Sequence, residues 1–197
     1  MKKKIAILLS GRGSNFIAIR EAIRRGDLDA EICCVISNVA TAAGLAQAQE
    51  WGITTLCIPS KGLERMEYDR RLVETLEPFK PSLICLAGFM RILSSVFINA
   101  FPSRVLNIHP SLLPSFPGLH AQRQALQHGV KISGCTVHLA DEGMDTGPII
   151  MQRAVPVLDD DDEDLLSARI LEQEHDVYWR AVAKIFGWMP IVNNISN

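Results

Sequence analysis

Short, unbroken apolar runs alternate with amphipathic stretches along most of the chain. The runs lie at residues 5–9, 32–36, 54–58, 83–87 and 104–108. Each is bounded by polar, Gly or Pro positions, as expected of a strand covered on both faces. Between the first two, Phe16, Ile19 and Ile23 recur at helical spacing and Gly26 ends the pattern. Further helices are predicted at 43–51, at 67–76 (stopped before Pro78) and near 94–100. The remaining chain predicts a helix at 121–128, a strand at 135–139, another strand around 148–157 and a long amphipathic helix at 164–186. Pro156 favours an edge position for the last strand, because proline lacks the N–H that an inner strand donates. The tail 189–197 reads as loose.

Strands that alternate with helices predict βαβ units, hence an α/β fold with an open, mostly parallel seven-stranded sheet and helices on both faces. The first half is Rossmann-type. A length of 197 residues suits a single domain. Its phosphate-binding half is expected at about 1–100 and its catalytic half at about 101–188.

Composition narrows the function class. Apolar residues make up 48% and charged residues 21%, as in an ordinary globular enzyme. A net charge of −2 leaves no electrostatic footprint for nucleic acid. No apolar run is long enough to span a bilayer, and 5–9 is too short for a signal segment. The expected partners are small molecules, without nucleic acid or membrane, and the expected location is cytoplasmic. Monomer and homodimer both fit. Trp51, Trp179 and Trp188 are expected mainly in the core. The five cysteines all lie in apolar runs without C-x-x-C spacing and read as small buried hydrophobes. The acidic run 159–164 reads as a solvated turn that places negative charge at a helix N-terminus.

The loop LLSGRGSNF (8–16) follows the first strand and opens a helix. Gly11 and Gly13 let the backbone turn sharply, and Ser14 and Asn15 sit where N-caps belong. A helix N-terminus offers free N–H groups to an anion. The loop is not a dinucleotide fingerprint, because Phe16 stands where the third glycine is required and the second strand ends in Ser37–Asn38 rather than an acid. Nor is it a Walker loop. A monophosphate is the simplest guest; a tight turn with nothing bound is the alternative.

Asn107 and His109 are two residues apart on a predicted strand, so they point to the same side, at the end where open α/β sheets collect ligands. Pro110 and Pro114 stiffen the exit. Asp145, in DEGMDTGP (141–148), lies between small or flexible neighbours and is expected to reach His109. An Asp beside a His favours the charged ring and fixes its orientation. An Asn amide donates to a developing oxyanion. The trio therefore points to acyl transfer without a covalent nucleophile. His138, alternating with Thr136, is placed to line the same cleft, whereas His120 and His128 read as surface residues. G-x-S-x-G and H-E-x-x-H are absent and the histidines lack zinc spacing, so no metal site is expected.

The combination of GRGSN (11–15), LAGFMRIL (86–93), NIHPSLLPSFPG (107–118), DEGMDTGPI (141–149) and QEH (173–175) resembles the phosphoribosylglycinamide formyltransferases, folate-dependent enzymes of purine synthesis. The resemblance runs from about residue 5 to the end of the last helix. It implies a mostly parallel, seven-stranded α/β fold and Asn107, His109 and Asp145 as the catalytic trio. It implies Gly13, Ser14 and Asn15 as the phosphate cradle and Glu174 as a contact to the substrate's ribose. Met90, Arg91, Ile92 and Leu93, with Asn107 and the 141–145 loop, would form the folate pocket, and Arg65 would lie near the folate's outer part. The implied reaction moves a formyl group from 10-formyltetrahydrofolate, a co-substrate rather than a bound cofactor, to the amine of 5′-phosphoribosylglycinamide. Another acceptor, either a different amine or water, and a non-catalytic phosphosugar-binding protein are the alternatives.

Overall fold

A computed structural model describes residues 2–187; the expectations for Trp188 and for the tail 189–197 lie outside the described residues. Seven strands form one sheet: β1 (Lys3–Leu9), β2 (Ala30–Ser37), β3 (Thr55–Cys57), β4 (Leu83–Leu86), β5 (Val105–His109), β6 (Ile132–Leu139) and β7 (Ile149–Pro156). Their order is β3-β2-β1-β4-β5-β6-β7. The pairings from β3 to β5 are parallel, and β6 runs antiparallel to both β5 and β7. Pro156 does fall on an edge strand. The helices are α1 (Ser14–Arg25), α2 (Ala43–Glu50), α3 (Arg65–Leu76), α4 (Ser95–Ala100), α5 (Ala121–Gln127) and α6 (Glu163–Ile185).

The continuous apolar runs are explained by burial on both faces of the sheet. Along β1, Ile5, Ile7 and Leu9 join one core cluster with residues of α1, α2, α5 and α6. Ala6 and Leu8 join the opposite cluster with α3 and α4. Strand period and sheet burial thus agree residue by residue. Tyr178 of α6 donates its hydroxyl to the carbonyls of Leu86 (3.0 Å) and Leu106 (2.9 Å), which ties the long helix to the middle of the sheet.

β1 lies between β2 and β4, so chain connections leave it in opposite directions. A crevice forms at the carboxyl ends of parallel strands at such a switch point. The loops after β1, β4 and β5 all open there. Ser10 stitches them together: its amide donates to Gly88 O (3.1 Å), its hydroxyl donates to Asn38 Oδ1 (2.6 Å), and its Oγ accepts the Met90 amide (2.8 Å).

Two local expectations change, on the N-cap of α1 and on the cysteines, while the acidic run keeps its expected place before α6. The N-cap of α1 is Gly13, with no side-chain cap, and Ser14 is already helical. Gly13 has φ +72°, the left-handed region in which a side chain is strained, and a Cβ there would meet Gly44 Cα and Leu9 Cδ2 at 3.1 Å each. Not every cysteine is buried: Cys57 is exposed on edge strand β3 and Cys33 is partly exposed. The acidic run is spent locally, as Asp162 caps α6 by accepting the Leu165 amide (2.8 Å), Asp161 accepts two bonds from Arg169, and Asp159 pairs with Lys131.

Candidate active site

Two side chains of β5 meet a third from the 140–148 loop. Asp145 Oδ2 lies 3.3 Å from His109 Nδ1, and Asp145 Oδ1 lies 3.4 Å from Asn107 Nδ2. Two features of the fold bring them together. Asn107 and His109 share a strand face. The 140–148 loop then folds back hard enough to present Asp145 to that face. Its closure requires Gly147, where a Cβ would sit 1.9 Å from the Leu139 carbonyl oxygen. Asp145 itself adopts φ +57°, a strained conformation that short polar side chains tolerate best.

His109 is buried and gripped from both sides. Its Nε2 lies 2.9 Å from the Phe116 carbonyl, while Nδ1 faces Asp145. Both neighbours are acceptors, an arrangement that only the doubly protonated ring satisfies at both nitrogens. The antiparallel register places His138 directly opposite Asn107 and Thr136 opposite His109. His138 Nδ1 faces the Leu139 carbonyl at 3.0 Å, so Nε2 is left to accept from Asn107 Nδ2 at 3.1 Å. His138 Nε2 also lies 3.5 Å from Asp145 Oδ1, where it donates only when that ring is protonated. Burial pushes the Asp145 carboxyl up. The contact with His138, the bond from the Gly118 amide (2.9 Å) and the attraction of the His109 and His138 rings when protonated outweigh it, and the carboxyl stays below its ordinary value.

The loop after β5 is held by hydrogen bonds as well as by proline. Thr136 Oγ1 donates to Ser111 O (2.7 Å) and accepts from the Leu113 amide (3.0 Å) and from Gln152 Nε2 (2.9 Å). Gln152 Nε2 also reaches Leu113 O at 3.0 Å. Ser111 Oγ donates to the Ser115 and Phe116 carbonyls. This network fixes the Phe116 carbonyl that faces His109. A pocket of about 380 Å³ opens beside Asp145, between Leu113, Pro114 and Pro117 on one side and Met144 on the other.

On the other side of the crevice, the amides of the first turn of α1 have no acceptor within the helix and point outward, as in any helix N-terminus. Asn15 Nδ2 donates to Glu174 Oε2 at 2.7 Å, linking α1 to α6. Glu174 is 7% exposed, and burial raises its carboxyl above the ordinary value, only partly offset by Asn15. Asn15 Oδ1 is buried without a partner.

A model of the family described as formyl transferase matches residues 3–182. This chain belongs to the formyl transferase family. It is 43% identical over 175 residues to the phosphoribosylglycinamide formyltransferase of Escherichia coli (strain K12), covering 88% of this chain and 82% of that protein. Identity to the phosphoribosylglycinamide formyltransferase of Bacillus subtilis (strain 168) is 37% over 186 residues, covering 94% and 95%. The chain also matches the trifunctional purine biosynthetic protein adenosine-3 of Drosophila melanogaster, at 47% over 195 residues and 98% of this chain, yet it spans only 14% of that protein's length. Glycinamide ribonucleotide transformylase 1 from Symbiobacterium toebii, a solved structure, matches with a TM-score of 0.91 at 45% identity, covering 98% of this chain and 92% of that one.

In this member of the formyl transferase family the residues singled out from sequence fall into four places. Asn107 and His109 each contact Asp145. Gly13, Ser14 and Asn15 lie at the start of α1, where Glu174 of α6 meets Asn15. Of the segment after β4, Met90 (73%) and Ile92 (50%) are exposed to the crevice or solvent, Leu93 is buried in the core, and Arg91 lies with its guanidinium 4.5 Å from the Tyr68 ring centroid. Arg65 opens α3 and is exposed. Sequence reasoning missed Thr136, Gln152 and Ser111 as the fasteners of the loop; the one signal for them was the alternation of Thr136 with His138. Among the described residues no helix is long and apolar enough to cross a membrane.

Proposed function

We propose that this chain transfers a formyl group from 10-formyltetrahydrofolate to the primary amine of 5′-phosphoribosylglycinamide, a step of purine synthesis. The observation that carries the reading is the contact of Asn107, His109 and Asp145 at the switch-point crevice, with an anion-ready helix N-terminus across from it. The names of the relatives support the same substrates. The chain would act as one formyltransferase unit, with folate as a co-substrate and small molecules as its partners. Its five free thiols suit a cytoplasmic setting.

In this reading the phosphate sits on the amides of Gly13, Ser14 and Asn15, and Glu174 contacts the ribose. The donor lies along Met90, Arg91, Ile92 and Leu93 and against Asn107, with Arg65 toward its outer end. The amine lone pair attacks the formyl carbon, forming the new C–N bond as the carbonyl electrons move to oxygen. Asn107 Nδ2–H and the His109 imidazolium stabilise that oxyanion. The 3.3 Å Nδ1–Asp145 contact is long for a charge-assisted bond, so Nδ1–H is free to share itself with the developing charge. The attacking nitrogen's proton leaves toward Asp145, directly or through water. The oxyanion then collapses, the bond to the folate nitrogen breaks, and that nitrogen takes up a proton. The apolar walls from the 110–118 loop keep water from competing.

The decisive experiment is a formyl-transfer assay with both substrates against a control without amine. Formylated amide appearing only with amine supports the proposal. Formate released without amine would make the chain a hydrolase, and substrate binding without product would make it a binder; either result overturns the reading.

A further inference from the structure

Tyr68 and Asp69 are adjacent on α3, facing the segment that joins β4 to α4. Asp69 is 0% exposed. Its one hydrogen bond among the described residues is from the Ser94 amide to Oδ2, at 2.6 Å, and Oδ1 has no partner. A buried carboxylate is costly unless it is compensated, and among the described residues no cation is paired with this one. Its compensation among the described residues is the Ser94 amide, at the end of the segment before α4. Three further buried polar atoms without partners belong to its neighbour Tyr68, to Ser94 and to Arg91, which lies over the Tyr68 ring: Tyr68 OH, Ser94 Oγ and Arg91 Nε.

What Asp69 does hold is the end of an irregular strap. Residues 88–94 leave β4 and cross the rim of the crevice. Ser10 pins the strap's start through Gly88 and the Met90 amide. Asp69 pins its end through Ser94, and the Tyr68 ring lies under Arg91. Along the strap Phe89 and Leu93 pack into the α3–α4 core, while Met90 and Ile92 point away from it. With both ends fastened, the backbone of 90–93 cannot slide, and the two outward apolar side chains stay aimed.

We propose that Asp69 is a positioning residue for the formyl donor: by gripping the Ser94 amide it sets the 90–93 backbone against which the folate binds. This rests on the reading above that the strap is the donor's side of the crevice. Asp69 is fully buried and reaches the crevice only through the strap it holds at Ser94, so its removal acts on the donor's side. The phosphate end is built on α1 and α6 and is left alone.

The test uses the full chain with Asp69→Asn and Asp69→Ala. An amide of the same shape still accepts the Ser94 N–H, but roughly half as strongly as a carboxylate. The expected KM for 10-formyltetrahydrofolate rises by about threefold in Asp69→Asn and by about tenfold or more in Asp69→Ala, on the scale of one lost charge-assisted hydrogen bond. The KM for the phosphoribosyl amine and kcat stay within about twofold. A merely structural acid would lower the melting temperature without this selectivity. A donor KM unchanged in both variants, or both KM values rising together, overturns the proposal. If Asp69→Ala does not fold, Asp69→Asn decides alone: a donor-selective rise supports the proposal and its absence refutes it. Wild-type protein that neither binds nor uses the donor would instead refute the functional reading, which separates the two failures.

Discussion

Asp145 Oδ2 lies 3.3 Å from His109 Nδ1 and accepts the Gly118 amide at 2.9 Å. One carboxylate thereby orients the imidazole and anchors the loop whose Phe116 carbonyl holds the other ring nitrogen. Replacing Asp145 by Asn keeps an acceptor for Gly118 and removes the charge. The expected result is a kcat lower by about 10²–10³ with little change in either KM, since the charge matters most as the oxyanion and imidazolium develop. Steady-state kinetics with each substrate varied in turn check this, and turnover near wild type would reject the assigned role.

The same substitution has a signature in acid. The Asp145 carboxyl is held below its ordinary value of 3.8 in the folded chain. A depressed carboxyl stabilises the fold above its unfolded pKa, and that contribution is lost as pH falls through the folded value. Wild type is therefore expected to lose melting temperature faster than Asp145→Asn as pH drops from about 5 toward 3. Parallel acid curves would show that the folded-state contacts of Asp145 contribute nothing to stability.

Glu174 predicts the opposite sign. Burial raises its carboxyl, so the folded state favours the protonated form. Stability is fullest below the ordinary value of 4.5 and declines as pH rises through the folded one. Glu174→Gln keeps an acceptor for Asn15 Nδ2 and drops the buried charge. The variant is expected to melt higher than wild type at pH 7 and to match it near pH 4, while the KM for the phosphoribosyl amine rises roughly tenfold through the loss of a charged acceptor. Thermal unfolding at the two pH values reads the first half, and amine-saturation kinetics read the second.

Gly13 tests the turn at the start of α1. Alanine would have to adopt φ +72° with its Cβ 3.1 Å from Gly44 Cα. The expected destabilisation is about 1–3 kcal/mol, or about 2–4 °C in Tm for each kcal/mol at this chain length. A shift of α1 would also raise the KM of the phosphorylated substrate more than that of the donor. Calorimetry and the same two-substrate kinetics test both parts.

These cases show which layers of the molecule were readable from sequence. All seven strands and six helices were anticipated to within a few residues, because a sheet buried on both faces writes itself as unbroken apolar runs. The placement of Asn107 and His109 on one strand face followed from strand period alone. The N-cap was misplaced because the left-handed conformation of Gly13 is set by its approach to Gly44, a contact between separate elements. Cys57 was misjudged because an apolar run does not say that its strand lies at an edge. The fasteners of the loop, Thr136, Gln152 and Ser111, depend on the register between β5, β6 and β7, and Asp69 depends on how α3 meets the strap. Neither relation leaves a periodic trace in the chain.

Thr136 is the sharpest case of such hidden structure. Its side chain is fully buried, donating one hydrogen bond and accepting two. Valine has the same shape without the oxygen, so Thr136→Val leaves the Leu113 amide and one bond of Gln152 without an acceptor and Ser111 O without a donor. An unsatisfied buried group costs about 1–3 kcal/mol, and with part of Gln152's bonding retained through Leu113 O the expected total is about 2–4 kcal/mol. The loop it fastens also carries the Phe116 carbonyl against His109, so kcat should fall by about tenfold, as the ring loses part of its alignment. Stability and rate should therefore drop together in Thr136→Val, whereas Gly13→Ala should lower stability and affinity for the phosphorylated substrate with kcat nearly intact. Denaturant unfolding and kcat for the two variants, measured side by side, decide the point: a Thr136→Val enzyme that is destabilised but turns over at the wild-type rate would show that the loop network serves the fold and not the imidazole.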